Sequence, residues 1–169
     1  MVTTLGGLVM LVGFVIMATS AGTSQLSAIL ADPPTGTAAT VAVFLMLVGA
    51  LSKSAIFPFH FWLPGAMAAP TPVSAYLHAA AMVKAGIYLI ARLAPAFGDV
   101  AGFRETLVIL GGITMLNGGI RALRQFDIKL IVAHGTVSQL GFLVMMFGIA
   151  DPRTDLAAFA LLFAHAVAK

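Results

Sequence analysis

Lysine and histidine side chains lie inside long apolar stretches of this sequence. Lys53 follows the uncharged stretch 38–52, and Lys84 is the only charged residue between positions 72 and 90. An ionisable group inside a membrane costs about 2.5–3.5 kcal/mol even on the milder insertion scales, so it faces a partner or water when a protein keeps it. Because both lysine and histidine can bind and release a proton, these residues are candidates for a proton path.

Lys84 is the deepest of these residues. It lies about twelve residues into its apolar stretch, roughly 18 Å along a helix axis, too far for its amine to reach the interface easily. His78 precedes it by six residues, about 9 Å along the axis and some 120° around it. That spacing is wrong for two ligands of one metal ion and suits successive stations of a relay. A packing histidine held by a hydrogen bond is the alternative for His78.

Pro58 follows Lys53 by five residues and predicts a break in its helix. Proline has no N–H, so the carbonyl of Ser54 loses its helical donor. Broken helices with free backbone groups near the membrane midplane are typical of transporter sites. The alternative is that Lys53 reaches the membrane surface at the end of an ordinary helix, which Pro58 terminates.

The remaining histidines have weaker patterns. His165 and Lys169 are four residues apart and share one face of the last helix. His134 lies early in its helix near a basic loop, where an interfacial position is the competing interpretation. His60 lies among aromatic residues, a pattern typical of the belt at a membrane surface. The chain has no cysteine, nucleotide loop, zinc spacing or catalytic triad, so we expect no cofactor and no metal.

The elements that carry these residues are membrane helices. Hydrophobic residues make up 60% of the chain and charged residues 9%, against about a quarter charged in soluble domains. The apolar runs are continuous, which excludes a β-barrel. We predict an all-α polytopic membrane protein with about six transmembrane helices, the second discontinuous at Pro58. They are predicted at 5–19, from 37 through Lys53, at 72–93 ending before Pro95, at 105–123, at 128–149, and from 155 onward.

Charge and length add two expectations. Arg121, Arg124 and Lys129, with only Asp127 opposing them, predict a cytoplasmic loop, which places the segment 58–71 inside and 92–104 outside. The net charge of +3 is small and does not indicate nucleic-acid binding.

The last helix, about 15 residues and roughly 22 Å, is shorter than the ~30 Å membrane core, so we expect a fragment of a longer protein.

Three stretches resemble one family. They read LSKSAIFPFHFWLPGAMAAPTPVSAYLHAAAMVKAG at 51–86, DIKLIVAHGTVSQLG at 127–141 and HAVAK at 165–169. They are similar to the antiporter-like subunits shared by respiratory complex I and the Mrp-type multisubunit Na⁺/H⁺ antiporters. Within that family, two motifs resemble the large A subunits of Mrp antiporters: FHFWLPGAMAAP at 59–70 and Val83-Lys84-Ala85-Gly86. Complex I counterparts tend to have Leu-Pro for Phe-Pro and an uncharged residue in place of Lys84.

The resemblance implies one antiporter-like transmembrane domain over residues 1–169, from about the sixth to the eleventh helix of the family. It implies that Lys53 is the central lysine of a broken helix, that His78 and Lys84 form a relay, and that His165 and Lys169 connect two half-channels. The implied protein is a secondary transporter subunit in a prokaryotic plasma membrane, not an enzyme. Its implied partners are other antiporter subunits, protons, monovalent cations such as Na⁺, and the lipid bilayer.

The sequence departs from the family pattern in two places. The fifth-helix glutamate that pairs with the central lysine has no counterpart here, and Leu161 stands where many relatives have a histidine. Two other functions remain open. The chain could belong to the proton-pumping arm of a complex I-like oxidoreductase or membrane-bound hydrogenase, where it would be part of a translocase. It could also be a scaffold whose lysines only hold helices together.

Overall fold

The structure, a computed structural model, describes residues 1–70, 72, 82–149 and 151–168. Within those ranges the chain forms eight α-helices and no strand, which confirms the predicted all-α class. The helices are α1 (Val2–Ala21), α2 (Leu26–Ala31), α3 (Thr37–Lys53), α4 (Trp62–Gly65), α5 (Met82–Phe97), α6 (Phe103–Leu123), α7 (Ile128–Ile149) and α8 (Pro152–Ala168). Short 3₁₀ turns, Phe59–Phe61 and Ala66–Ala68, flank α4.

Three helices in the described part of the chain, α1, α6 and α7, are long and apolar enough to cross a membrane, and α3 is a shorter apolar helix. Two elements differ from the sequence prediction. The short helix α2 lies in a segment that was expected to be a loop. Helix α5 continues through Pro95 to Phe97 rather than ending before the proline. Pro95 lies in the last turn, where only one backbone hydrogen bond is lost.

Glycines bring α1 and α3 into close contact. A Cβ added at Gly49 would overlap Met10, and one added at Gly13 would lie 2.8 Å from the carbonyl oxygen of Ala42. Gly6 is in equally close contact with Ser52. Small residues at membrane-helix interfaces let backbones approach in this way. The close contact between α1 and α3 therefore fixes the position of the end of α3, where Lys53 lies.

A second glycine-lined contact joins α6 and α7. A Cβ at Gly111 would lie 2.7 Å from the Gly141 carbonyl oxygen, and one at Gly118 would lie 2.6 Å from the Ser138 nitrogen. Gly111 and Gly118 therefore let the backbones of α6 and α7 approach closely. Between the two helix pairs lies a buried apolar core that includes Met46, Ile87, Ile90, Leu140 and Phe147.

Candidate functional site

The break after α3 is built from a left-handed residue. Ala55 has φ 53°, and the N–H of Ile56 donates to the carbonyl of Leu51 at 3.0 Å. This is the Schellman arrangement that ends many helices, with alanine where glycine is usual, at a cost of roughly 1–2 kcal/mol. The predicted break is confirmed, and Pro58 lies inside it. The helix itself ends at Lys53, however, so the Ser54 carbonyl is already outside the helical pattern.

Lys53 is the last residue of α3 and is half-buried. Its Nζ would lie 3.7 Å from a Cβ added at Gly7 of α1. The side chain opens into a cavity of about 360 Å³. The other residues that line this cavity are Met10, Phe14, Met82, Ala85, Gly86 and Leu89. A lysine at a helix end, beside a largely apolar cavity, lies where a membrane protein can bind or pass a charge.

Lys84 lies on α5 and is 8% exposed, as expected of an intramembrane lysine. Two residues on, Gly86 contacts α3 so closely that a Cβ there would overlap the Ala50 carbonyl oxygen and the Ser54 hydroxyl. The Ser54 Oγ is buried and has no hydrogen-bond partner among the described residues. Helix α5 therefore crosses α3 at the break, with Lys53 and Lys84 close to the crossing.

Three hydrogen bonds hold the segment after the break. The backbone N–H of Phe57 donates to Thr114 Oγ1 at 2.9 Å, and the indole N–H of Trp62 donates to the Ser52 carbonyl at 3.0 Å. Lys129 Nζ donates to the Ala69 carbonyl at 2.7 Å. The sequence assigned Lys129 only to the charge of a predicted loop, and the structure shows its amine bound to the backbone at the far end of the broken segment. The segment is thus tied to α3, α6 and α7.

His60 is buried, with 8% exposure, and does not lie in an exposed belt. Its ring stacks on Phe57, with centroids 5.8 Å apart and planes 23° apart. Its Nε2 lies 3.3 Å from the amide nitrogen of Asn117, whose Oδ1 accepts from Arg121 Nε at 2.9 Å. Of the aromatic neighbours that suggested a surface belt, Phe57 stacks on the buried imidazole and Phe61 is exposed.

His134 and His165 are also buried, with 5% and 4% exposure. His134 lies on α7 about 15 residues before Ile149, and His165 lies about 13 residues after the start of α8. Helix α8 packs on α7. The burial of His134 within the protein does not test whether it lies at the membrane interface, so that interpretation stays a prediction. His78 and Lys169 lie outside the described residues.

Sequence reasoning missed the role of α6. Thr114, Asn117 and Arg121 follow one another at spacings of three and four, and Gly111 and Gly118 continue the same pattern. Residues at these spacings share a helix face. Polar residues on the closely packed face of a membrane helix form hydrogen bonds, and here Thr114 is buried, Asn117 half-buried and Arg121 exposed. That pattern was the signal that could have identified them.

Known proteins share this sequence and architecture. The chain is 50% identical over 152 residues to the putative antiporter subunit mnhA2 of Staphylococcus aureus strain MRSA252, covering 88% of this chain and 19% of that relative. It matches the structure of the Mrp complex from Dietzia sp. DQ12-45-1b with TM-score 0.93 and 46% identity, over 98% of this chain and 19% of that one.

A more distant match is the membrane-bound sulfane sulfur reductase, an archaeal respiratory membrane complex. The TM-score is 0.89 and the identity 26%, over 98% of this chain and 35% of that one. The chain thus spans 19% of the length of the curated relatives it matches. The model of the NADH:quinone oxidoreductase/Mrp antiporter transmembrane family matches residues 1–169, and the chain belongs to that family.

Proposed function

We propose that this chain carries part of the proton path in a subunit of a multisubunit monovalent cation/proton antiporter. The observation that carries the proposal is the burial of Lys84 on a helix that crosses α3 at its break, beside Lys53. Buried ionisable groups beside irregular backbone line ion pathways in membrane proteins. The identity of 50% to an antiporter subunit supports the assignment, and Na⁺ is the cation we propose.

In the proposed path, Lys53 binds and releases protons near the break, and His78 and Lys84 form a relay, as the family resemblance implies. His134 and His165, both buried, continue the path through α7 and α8. By the family resemblance, Lys169 belongs with His165 to the connection between two half-channels. A cation entering near Lys53 raises the local positive charge and so favours release of a proton from the lysine. This repulsion is the proposed coupling between the two ions.

One observation favours a second function. The likeness to an archaeal respiratory membrane complex, at TM-score 0.89, fits the same helices serving as the pumping arm of a redox-driven complex. The genes beside this one distinguish the two proposals. Small antiporter subunits favour the antiporter, whereas iron–sulfur or flavin subunits favour the redox-driven pump.

Substitution of Lys84 tests the antiporter proposal. In inverted vesicles that carry the complete complex, addition of Na⁺ should restore the fluorescence of a quenched pH-sensitive dye. We expect Lys84→Ala to lower this fluorescence response about tenfold or more. The substitution replaces a buried amine of the relay by a methyl group, which cannot bind a proton.

Arg92→Ala is the matched control, because Arg92 lies on the same helix but is exposed. Its response should stay close to that of the unmodified complex. Immunoblots of the complex in native gels confirm equal assembly of both variants. Full exchange by the assembled Lys84→Ala complex would show that Lys84 is not on the path.

A further inference from the structure

The amide of Asn117 lies between two side chains that use it differently. Its Oδ1 is 2.9 Å from Arg121 Nε, and its Nδ2 is 3.3 Å from His60 Nε2. A guanidinium group only donates hydrogen bonds, so the amide atom that faces it must be the oxygen. The contact with Arg121 therefore fixes which side of the amide faces His60.

With its oxygen toward Arg121, Asn117 presents its NH₂ group to His60. That group donates, so Nε2 of His60 must accept. A neutral imidazole whose Nε2 accepts carries its proton on Nδ1. An imidazolium has N–H on both nitrogens and would set one donor against another at this contact.

We infer that Asn117 and Arg121 are positioning residues that hold His60 in its neutral form with the proton on Nδ1. To keep this contact after His60 takes up a proton at Nε2, the Asn117 amide must turn by half a rotation so that Oδ1 accepts. Its NH₂ then faces Arg121 Nε, and the bond between those two residues is lost. Proton uptake at His60 is in this way linked to release of Arg121.

The other groups around His60 agree with this state. Burial of the ring disfavours a positive charge on His60, and so do the two charged or titratable groups that the described residues bring near it, Arg121 of α6 and His134 of α7. On its own segment the ring stacks on Phe57. Nδ1 has no hydrogen-bond partner within the described residues, so the Nε2 contact determines the tautomer there.

The tautomer can be read in the complete complex that contains this chain. With ring-¹⁵N histidine incorporated, the difference between solid-state NMR spectra of the unmodified complex and His60→Gln isolates the His60 signals. At mildly alkaline pH we expect a protonated Nδ1 and an unprotonated Nε2. In Arg121→Met the amide is free to turn, so signals of both tautomers should appear.

Arg124→Met is the matched control, since it removes the same charge three residues later, just past the end of α6. Its His60 signals should match those of the unmodified complex. A protonated Nε2 in the unmodified complex would overturn the inference. Identical His60 spectra for Arg121→Met and the unmodified complex would do the same, because Arg121 would then not set the amide.

A transport measurement adds a readout that a structural role would not change, and this part rests on the proposed function. Asn117→Asp places a carboxylate against His60, which favours the imidazolium. The pH profile of Na⁺-driven dye recovery should then shift by about one pH unit toward alkaline pH. An equal loss at every pH, without a shift, would overturn the positioning role. If the unmodified complex moves no protons, the proposed function fails while the NMR spectra still decide the tautomer.

Discussion

At the scale of single residues, Thr114 shows how one hydroxyl can hold a broken helix. Its Oγ1 accepts from the Phe57 N–H and donates to the Leu110 carbonyl at 2.6 Å, and the side chain is 1% exposed. Phe57 follows the break, where no helical acceptor is available to its N–H. The hydroxyl therefore replaces a backbone partner that the helix cannot supply.

Replacing Thr114 with Val keeps the shape and removes this acceptor. We expect a loss of about 1–3 kcal/mol, the cost of leaving a backbone donor without a partner. The detergent-solubilised complex should accordingly lose its single size-exclusion peak at a lower temperature.

Thr136→Val is the control for that measurement. Thr136 is also fully buried, but its hydroxyl donates only within α7, to the Val132 carbonyl at 2.8 Å. Such a bond within one helix contributes little to stability. Equal melting of the two variants would show that the hydroxyl of Thr114 does not hold the segment.

The candidate residues differ in how far sequence could identify them. Lys53 and Lys84 were predicted because a charge in an apolar stretch is visible without any structure. His60 was misread because its aromatic neighbours are compatible with both a surface belt and a packed interior. The contact of Asn117 with His60 could not be predicted, since a contact across 57 positions depends on how the break folds back.

At the scale of helices, α6 and α7 depend on contacts that leave no room for a methyl group. A Cβ at Gly141 would lie 2.6 Å from the Met115 nitrogen and 2.7 Å from the Gly111 carbonyl oxygen. Backbone atoms cannot move aside as a flexible side chain can. Gly141→Ala should therefore force the two helices apart, at a cost of about 1–3 kcal/mol.

Gly135→Ala is the control on the same helix, because nothing lies within 4 Å of its added Cβ. Quantitative immunoblots of native gels should show a several-fold lower yield of assembled complex for Gly141→Ala and an unchanged yield for Gly135→Ala. Similar yields for both variants would contradict the close approach of α6 and α7.

Helix positions were largely predictable, while the details of their ends were not. The apolar runs indicated the helices now seen as α1, α3, α6 and α7 to within a few residues. The end of α3 at Lys53 was placed too late, because Pro58 is a visible signal and an alanine at positive φ is not. The continuation of α5 through Pro95 was missed because the visible proline was taken as a helix end. A proline in the final turn destabilises a helix less than one in its middle.

At the scale of the whole molecule, the orientation in the membrane remains a prediction from charge. Arg121, Arg124 and Lys129 lie at or near the connection between α6 and α7 and indicate the cytoplasmic side. The sequence contains no cysteine, so introduced cysteines give a clean signal from this part of the protein.

Gln125→Cys lies between α6 and α7, and Ala101→Cys lies between α5 and α6. A maleimide that cannot cross the membrane should label Gln125→Cys in inverted vesicles and Ala101→Cys in intact cells, each at least severalfold more than in the opposite preparation. The two positions serve as controls for each other. The reverse labelling pattern would show that the charge asymmetry does not set this topology.

The two glycine-lined pairs also differ from the rest of the molecule in stiffness. Within α1–α3 and α6–α7 the backbones are in contact, so relative sliding meets steep repulsion. Between the pairs, the segment after Ala55 is held by a few hydrogen bonds, each worth about 0.5–1.5 kcal/mol. We therefore expect any relative movement of the two helix pairs to bend the chain at the segment after Ala55, which lies between Lys53 and His60, rather than within either pair.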